Sequence, residues 1–445
     1  MATLVQRLGL ASTGNRATWT FSAWIKRSRS LSSANEHIFS SNTDRTGGGQ
    51  YSSIYFGNDC LSYYDYYSSA VQKHLYTNRK FRDVNAWYHI VVRHDTTQAT
   101  ASDRIRFYVN GVQETSFSSS SYPSQNDNSS FVNWSGADNF LGDQDENQND
   151  PFLGSISHVH LADGQSYAPT VFGETDANGV WKIKTSPSVT YGTNGFFILK
   201  DGNSVTDQSG NSNNFTVGGG TLTNTEDSPS NVFATMNPLT SYYAGAWTFS
   251  NGNNTVNMGT TSERYVVGTM GFSSGKWYWE NKYISQSGET FSRVGIESNI
   301  NDTAPDKSTS GYGYRGQPAQ KVNNNTYTAW GSTYTTGDII GVAVDMDNNY
   351  IYFSKNGVWQ ESGDPTSGAT GTGSAFTIID PPSGFYFPKI GKEDADTGVW
   401  SFNFGNGYFG TTAVSSAGTN ASGIGIFEYD VPTGYTALST KGLNL

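Results

Sequence analysis

Three stretches of the chain carry oxygen- or nitrogen-bearing side chains at spacings that suit metal chemistry. The densest is Asp143-Gln-Asp-Glu-Asn-Gln-Asn-Asp150. Asp143, Asp145 and Asn147 alternate along it, and alternating oxygen donors suit a hard cation such as calcium. Read as an EF-hand loop from Asp143 it fails twice, with Gln148 in place of the turn glycine and Gly154 in place of the bidentate glutamate. Two readings remain: a cation at the rim of a β-domain, or a solvated hairpin loop. His158 and His160 would share one strand face at zinc spacing, but no Cys or acidic partner stands near, and a paired strand accounts for them without metal. Asp345-Met-Asp-Asn-Asn349 lies between two strand patterns, where Asp and Asn are expected turn residues. No phosphate-cradling glycine loop, nucleophile elbow or Ser-His-Asp spacing stands out.

The other chemistry on offer is contact. Tyr63-Tyr-Asp-Tyr-Tyr67 places Tyr63, Tyr64, Tyr66 and Tyr67 on both faces of a strand, so some of these rings should be exposed to stack on a sugar or a partner. Residues 298–333 and 361–375 are rich in Gly, Ser, Thr and Asn and read as long loops, where binding residues concentrate. Within the first, Tyr312, Tyr314 and Arg315 combine rings with a cation, the types enriched at interface hot spots. Trp330 is expected to pin that loop to its own domain.

The scaffold for these groups follows from composition and period. Charged residues make up only 15 % of the chain and aromatic ones 14 %, with 27 Tyr, 25 Phe and 11 Trp. Disorder needs many charges and few rings; this much ring area needs a core. The net charge of −11 lacks the electrostatic footprint for phosphate backbones, so nucleic acid is not an expected partner. Cys60 is the single cysteine, which excludes an intrachain disulfide. Neither a secretion signal nor membrane insertion is expected, because no stretch approaches the ~20 apolar residues of a span.

Period two dominates. Between Thr18 and Lys26, Trp19, Phe21, Ala23 and Ile25 fall on one face and Trp24 on the other, where a sheet, a loop or another subunit would cover it. Trp277 with Trp279, and Trp400 with Phe402 and Phe404, repeat the alternation. No helical or heptad stripe persists. Asn110-Gly111 and Asn356-Gly357 are hairpin turns in rhyming contexts, Phe-Tyr-Val-Asn-Gly-Val and Phe-Ser-Lys-Asn-Gly-Val, which hints at two related sandwiches in tandem. Gly, Asn and Pro accumulate between residues 211 and 239, the expected boundary, and residues 116–130 read as a surface loop.

Ala86-Trp-Tyr-His-Ile-Val-Val92 with Ile105-Arg-Phe-Tyr-Val-Asn-Gly-Val112 resembles the paired strands of laminin-G-like, concanavalin-A-type jelly rolls. Phe152-Leu-Gly-Ser-Ile-Ser-His-Val-His-Leu161 resembles the strand that closes such a domain. Asp163-Gly-Gln165, Phe172 to Trp181, Tyr191 to Phe197 and Asp207 to Phe215 resemble a segment that recurs in virion proteins of marine tailed phages. Ser274-Gly-Lys-Trp-Tyr-Trp-Glu280, Gly337 to Asp345, Ile351 to Gly357, Phe385 to Ile390 and Ser401 to Phe404 resemble a SPRY domain. Ser228 to Pro238 and Tyr429 to Asn444 resemble the flanks of phage SPRY modules. The resemblances cover nearly the whole chain.

They imply an all-β fold of two tandem antiparallel β-sandwiches. Residues 1–222 form the concanavalin-A-like jelly roll, 223–240 a linker leading into the second sandwich, and 241–445 the SPRY-like sandwich with a C-terminal extension. The setting they imply is a phage virion, with the chain as an appendage, fibre or decoration subunit whose sandwiches are adhesive. Expected partners are other virion proteins, further copies in a homo-oligomer, and a host-surface glycan or receptor; no cofactor is expected. An architectural subunit that binds only virion proteins is the alternative, and a polysaccharide depolymerase a third reading. Glucanases of the resembled fold carry Glu-x-Asp-x-x-Glu; Glu174-Thr-Asp176 begins that signature, but Gly179 stands where the third acid belongs. Glycoside hydrolysis needs two opposed carboxyls roughly 5–9 Å apart. No such pair can be nominated, so no enzyme activity is expected.

Overall fold

The computed structural model describes residues 3–444 apart from 31–33, 47–48, 201–203, 241–246, 260–263, 288–290, 301–307 and 393–396. Strand alternation governs what is buried. In Thr18–Arg27 the residues Trp19, Phe21, Ala23 and Ile25 all lie in a core, as their period requires. Among the described residues the regular elements are strands and short 3-10 turns.

Two compact units divide the chain, residues 1–224 and 225–445. In the first, an eight-stranded antiparallel sheet runs in the order Phe117–Ser121, Ala70–Thr77, Cys60–Tyr67, Tyr51–Gly57, Asn35–Asn42, Asp138–Leu141, Leu4–Arg7, Thr216–Gly219. The second sheet runs Phe196–Ile198, Gly154–Asp163, Thr18–Arg27, Trp87–Asp95, Ile105–Val109, Val112–Glu114. Inward residues of both, among them Phe39, Ile54, Tyr63, Phe107 and Leu161, make one core. The serine-rich residues 116–130 are only partly loop. Their first half is an edge strand, Phe117–Ser121, paired to Ala70–Thr77.

The second unit repeats the plan. Lys276–Ser287, Ile339–Asp345, Tyr350–Lys355 and Thr397–Asn403 build the middle of a nine-stranded sheet, and Arg293–Glu297, Gly311–Arg315 and Phe387–Lys392 the middle of a six-stranded one. Trp277, Trp279, Trp400, Phe402 and Phe404 fill the core between them. The lead-in belongs to this unit as well: Phe233, Ala234 and Met236 are buried, and Phe233 bridges to Ser439 near the C-terminus. A second cluster lies on the outer face of the large sheet, where Phe427, Val431 and Tyr435 from the C-terminal extension cover Tyr278, Ala343 and Tyr352.

The rhyming Asn-Gly turns have the same geometry. Asn110 (φ +48°) and Asn356 (φ +49°) both sit in the left-handed region with a glycine at φ +79° behind them. Each asparagine Oδ1 accepts from a backbone N–H at the start of the preceding strand, His89 in one unit and Ile339 in the other, both at 2.8 Å. Each glycine lies against a ring. A Cβ at Gly111 would stand 2.5 Å from Trp181, and one at Gly357 2.6 Å from Tyr429.

Three outcomes follow from this geometry. Asn110→Ala and Asn356→Ala should each cost about 1–2 kcal/mol, from one lost strand-anchoring hydrogen bond plus left-handed strain. Gly111→Val and Gly357→Val should cost more, because a branched side chain adds a steric clash to the strain; thermal melts of the four variants check the order. Because each unit has its own core, cleavage near Asn224 should give two soluble halves with separate calorimetric transitions.

Candidate functional site

The structure sorts the tyrosine cluster by face. Tyr63, in register with Ile54 and Leu75, points into the core at 0 % exposure and packs against Trp19 at 5.8 Å. It is not a contact residue, because the sheet's inner face claims it. Tyr67, 43 % exposed, turns to the end of the sheet and meets Phe131 and Trp134 edge-on. Tyr64 and Tyr66 stand half-buried on the outer face.

There they join residues the sequence reading missed. Tyr66 lies opposite Tyr51, Tyr64 opposite Ser53 and His74, and Tyr55 opposite Ser62 and His37. The rings form a continuous strip. Tyr64 is 5.8 Å from Tyr51, 6.1 Å from Tyr66 at an interplanar angle of 16°, and 5.2 Å from His74, which is 5.8 Å from Tyr76. Tyr55 stacks on the buried His37 at 5.0 Å. Ser40, Ser53 and Ser62 form a floor at 0 % exposure. Burial holds the phenols of Tyr51, Tyr55 and Tyr64 above their ordinary pKa, so they remain neutral. Period two was the available signal: Tyr51 and Tyr55 share a face, and register alone brings them beside Tyr64 and Tyr66.

Charge has been drawn off this face. Along Asn35–Asn42, Tyr51–Gly57, Cys60–Tyr67, Ala70–Thr77 and Phe117–Ser121 the charged residues are Glu36, Asp65 and Lys73, all at most 2 % exposed. Lys73 Nζ donates to Asp65 Oδ2 at 3.1 Å and to the Asn128 carbonyl at 2.7 Å. Glu36 Oε2 is 3.1 Å from Arg27 Nη2 in a second buried network.

At one rim of the strip lies the acidic loop. Asn42 Nδ2 donates to the Gln144 carbonyl at 3.0 Å, and the His37 N–H to the Asp150 carbonyl at 3.1 Å. Thr46, Asp143, Gln144, Asp145, Asn147, Asn149 and Asp150 line a pocket of about 210 Å³. Asp143 is 1 % exposed; its Oδ1 accepts from the Gln144 N–H at 2.6 Å, while its Oδ2 has no partner within the chain. Burial pushes the Asp143 carboxyl up to about 6, and burial also raises Asp145 and Asp150. Asn147 lines the same pocket; its Nδ2 donates to the Thr46 carbonyl, which leaves its Oδ1 as the atom that could join the two aspartates. Among the described residues no three His, Cys, Asp or Glu side chains converge as a ready-made metal cluster. A hard cation would therefore take Asp143 and Asp145 plus amide and carbonyl oxygens, the donor set calcium tolerates.

The remaining candidates do structural work. His158 has φ +48° at a bulge, which breaks the shared face with His160. His160 bonds the Tyr191 hydroxyl at 2.9 Å and stacks on Phe197 at 3.9 Å, so the pair is no zinc site. Glu174 and Asp176 sit on a small exposed hairpin, each facing a lysine, Lys184 at 3.8 Å and Lys182 at 2.7 Å. That hairpin carries Trp181, whose Nε1 donates to His89 at 3.0 Å; His89 in turn stacks on Trp24, so a loop covers Trp24. In the second unit, Glu280 is pushed up to about 7 by burial, yet its carboxylate clasps the C-terminal extension, accepting from the N–H groups of Glu428 and Tyr429 at 2.9 Å each.

Tyr312 and Tyr314 are not surface contacts. They lie in the strand Gly311–Arg315 and point into the core at 3 % and 0 % exposure. The glycines that read as loop alternate with these rings in strict strand register against Arg293–Glu297. Much of residues 298–333 is sheet; residues 301–307 lie outside the described residues. Arg315 is on the opposite face at 9 % exposure, covered by Phe291 at 4.3 Å and Tyr327 at 5.4 Å, and its Nε donates to the Gln317 carbonyl. Trp330 does pin its segment, edge-on to Tyr314 at 5.2 Å.

Fold and surface define a tandem β-sandwich protein whose first unit carries an open aromatic face. The chain is a concanavalin-A-like domain followed by a SPRY domain. Residues 6–170 match the concanavalin A-like lectin/glucanases superfamily, of the laminin-G type, and residues 276–381 match the SPRY domain. Ran-binding protein 9 of Danio rerio is 31 % identical over 140 residues, 29 % of this chain and 21 % of that protein. The probable ATP-dependent RNA helicase ddx1 of Dictyostelium discoideum is 28 % identical over 143 residues, 32 % of this chain and 16 % of that protein. The chain thus spans about a fifth of the length of the curated relatives it matches. The solved SPRY domain of human HERC1 is 20 % identical, with a TM-score of 0.31, over 38 % of this chain and 96 % of that one.

Calcium at about ten times its dissociation constant should stabilise the first unit by about 1.4 kcal/mol, a rise of a few degrees in melting temperature. Magnesium, which dehydrates reluctantly, should do less. Asp143→Asn should abolish the calcium effect in differential scanning fluorimetry.

Proposed function

We propose that this chain is an adhesive, non-enzymatic subunit of a tailed-phage virion, its first sandwich attaching to a host-surface glycan or receptor. The observation that supports this most directly is the tyrosine strip of Tyr51, Tyr55, Tyr64, Tyr66 and Tyr76, which lies across strands whose own charged residues all face inward. Rigid rings with few rotatable bonds give contact area at low entropic cost, and hydroxyls beside them supply adaptable hydrogen bonds. The resemblance of the segments between Asp163 and Phe215 to phage virion proteins supports the setting. In the second unit the core consumes the rings, and the extension from Phe427 to Tyr435 covers one sheet face, which suits attachment to neighbouring subunits in a homo-oligomer or to other virion proteins.

Two measurements test this reading. Antibody raised against the chain should label virions in electron micrographs, and the purified chain should compete with phage for adsorption to host cells. Unlabelled virions, or adsorption unaffected by saturating protein, would overturn it. No reducing sugar should be released from host polysaccharide; release lost in Glu174→Gln would establish a depolymerase instead.

A further inference from the structure

We infer that the outer face of the eight-stranded sheet takes a neutral polysaccharide, its sugar rings lying over Tyr51, Tyr64, Tyr66 and Tyr76. The inference rests on the adhesive reading and specifies its ligand class and place.

Charge narrows the ligand first. Five neighbouring strands keep their only charged residues, Glu36, Asp65 and Lys73, turned inward, and Arg45, which reaches the next strand of this face, is tied to the Asp138 carboxylate at 2.8 Å, so the face offers no unpaired cation to a sulfate, phosphate or uronate. An anionic glycan would lose hydration there without a compensating partner. The rim is no better for it, because the cation there, Arg29, is drawn to Asp150 and paired with Glu36. Asp150 stands at the rim, close enough to hold the phenols of Tyr51 and Tyr55 up beyond the effect of burial. His37, which comes within 4.0 Å of Asp150, is buried and pushed down to about 3, so it supplies no positive charge.

Ring geometry narrows it further. A neutral pyranose presents a C–H face with slight positive charge, which packs on the negative face of an aromatic ring. Tyr64 and Tyr66 lie nearly parallel at 6.1 Å along one strand, and Tyr51 joins them across the strand at 5.8 and 6.5 Å. These rings sit on the floor of serines, with Ser119 exposed beyond His74, so hydroxyl groups flank them on both sides. On the same face, Ser40 Oγ and His74 Nε2 have no hydrogen-bond partner within the chain. Burial lowers the pKa of His74, so its ring is neutral. An extended peptide fits less well, because strand addition uses an open sheet edge and this surface is a face.

The test uses the full chain on an array of neutral and acidic polysaccharides, followed by calorimetric titration with the neutral oligosaccharide that binds. Binding to at least one neutral glycan, unchanged from low to high salt, is expected. Tyr64→Ala and Tyr66→Ala should each weaken it about ten-fold or more, the scale of a hot-spot ring. Tyr64→Phe should retain it, and circular dichroism of all three variants should match the parent. Binding confined to acidic glycans and lost in salt would overturn the inference. So would neutral-glycan binding that survives Tyr64→Ala, or a face occupied by a second copy, seen as self-association that Tyr64→Ala abolishes in sedimentation. If the Tyr64→Ala chain still blocks phage adsorption as well as the parent, the adhesive role stands and this location falls. If the parent binds neutral glycan but is missing from virions, the location stands and the virion role falls.

Discussion

The buried pair between Lys73 and Asp65 shows the constraint that shapes the first unit. Each strand residue must serve one of two faces, and the inner face of the eight-stranded sheet accepts charge only where it is paired. Lys73 and Asp65 lie directly opposite on adjacent strands, 3.1 Å apart and nearly inaccessible. The Asp65 carboxylate also accepts from the Ser130 N–H, and Lys73 holds the Asn128 carbonyl, so the pair fastens the segment that follows the edge strand. Removing one partner of such a pair typically costs about 3–5 kcal/mol, because the other is left buried and uncompensated. With their charges spent inside, the five strands from Asn35–Asn42 to the edge strand Phe117–Ser121 leave their outer face to uncharged side chains, tyrosine, serine and histidine among them.

The second unit uses a buried carboxylate for another purpose. Glu280 ends the aromatic alternation of its strand and turns to the outer face, where the Tyr278 hydroxyl, Asn403 and two backbone N–H groups surround it. That clasp holds the C-terminal extension over the large sheet. A strongly shifted acid often marks a catalytic group. Here the full set of hydrogen bonds and the overlying extension give it a structural role.

Much of the fold could be read from periodicity. The alternation of Trp19, Phe21, Ala23 and Ile25, and of Trp277 and Trp279, is dictated by strand geometry and needs no tertiary knowledge. The Asn-Gly turns were equally legible, since two consecutive left-handed residues admit few other pairs. Glycine misled where it alternates with rings. Gly311-Tyr-Gly-Tyr-Arg315 has the composition of a loop but the period of a strand, and the period decided its structure. Composition likewise made Phe117–Ser121 look like loop, although an edge strand tolerates serine because only one side must pair.

From sequence alone came the all-β class, the presence of two sandwiches, the core aromatics and the acidic loop, because each depends on neighbours in the chain. Which tyrosines face outward, and which others join them, depends on register between strands that are distant in sequence. Tyr51 and Tyr66 meet only because their strands align, and the Asp143 pocket borders the strip only because Asn42 and His37 bind its loop. A one-residue slip would reverse every face. The sequence therefore determined which residues could form a binding surface, while tertiary pairing decided which of them do.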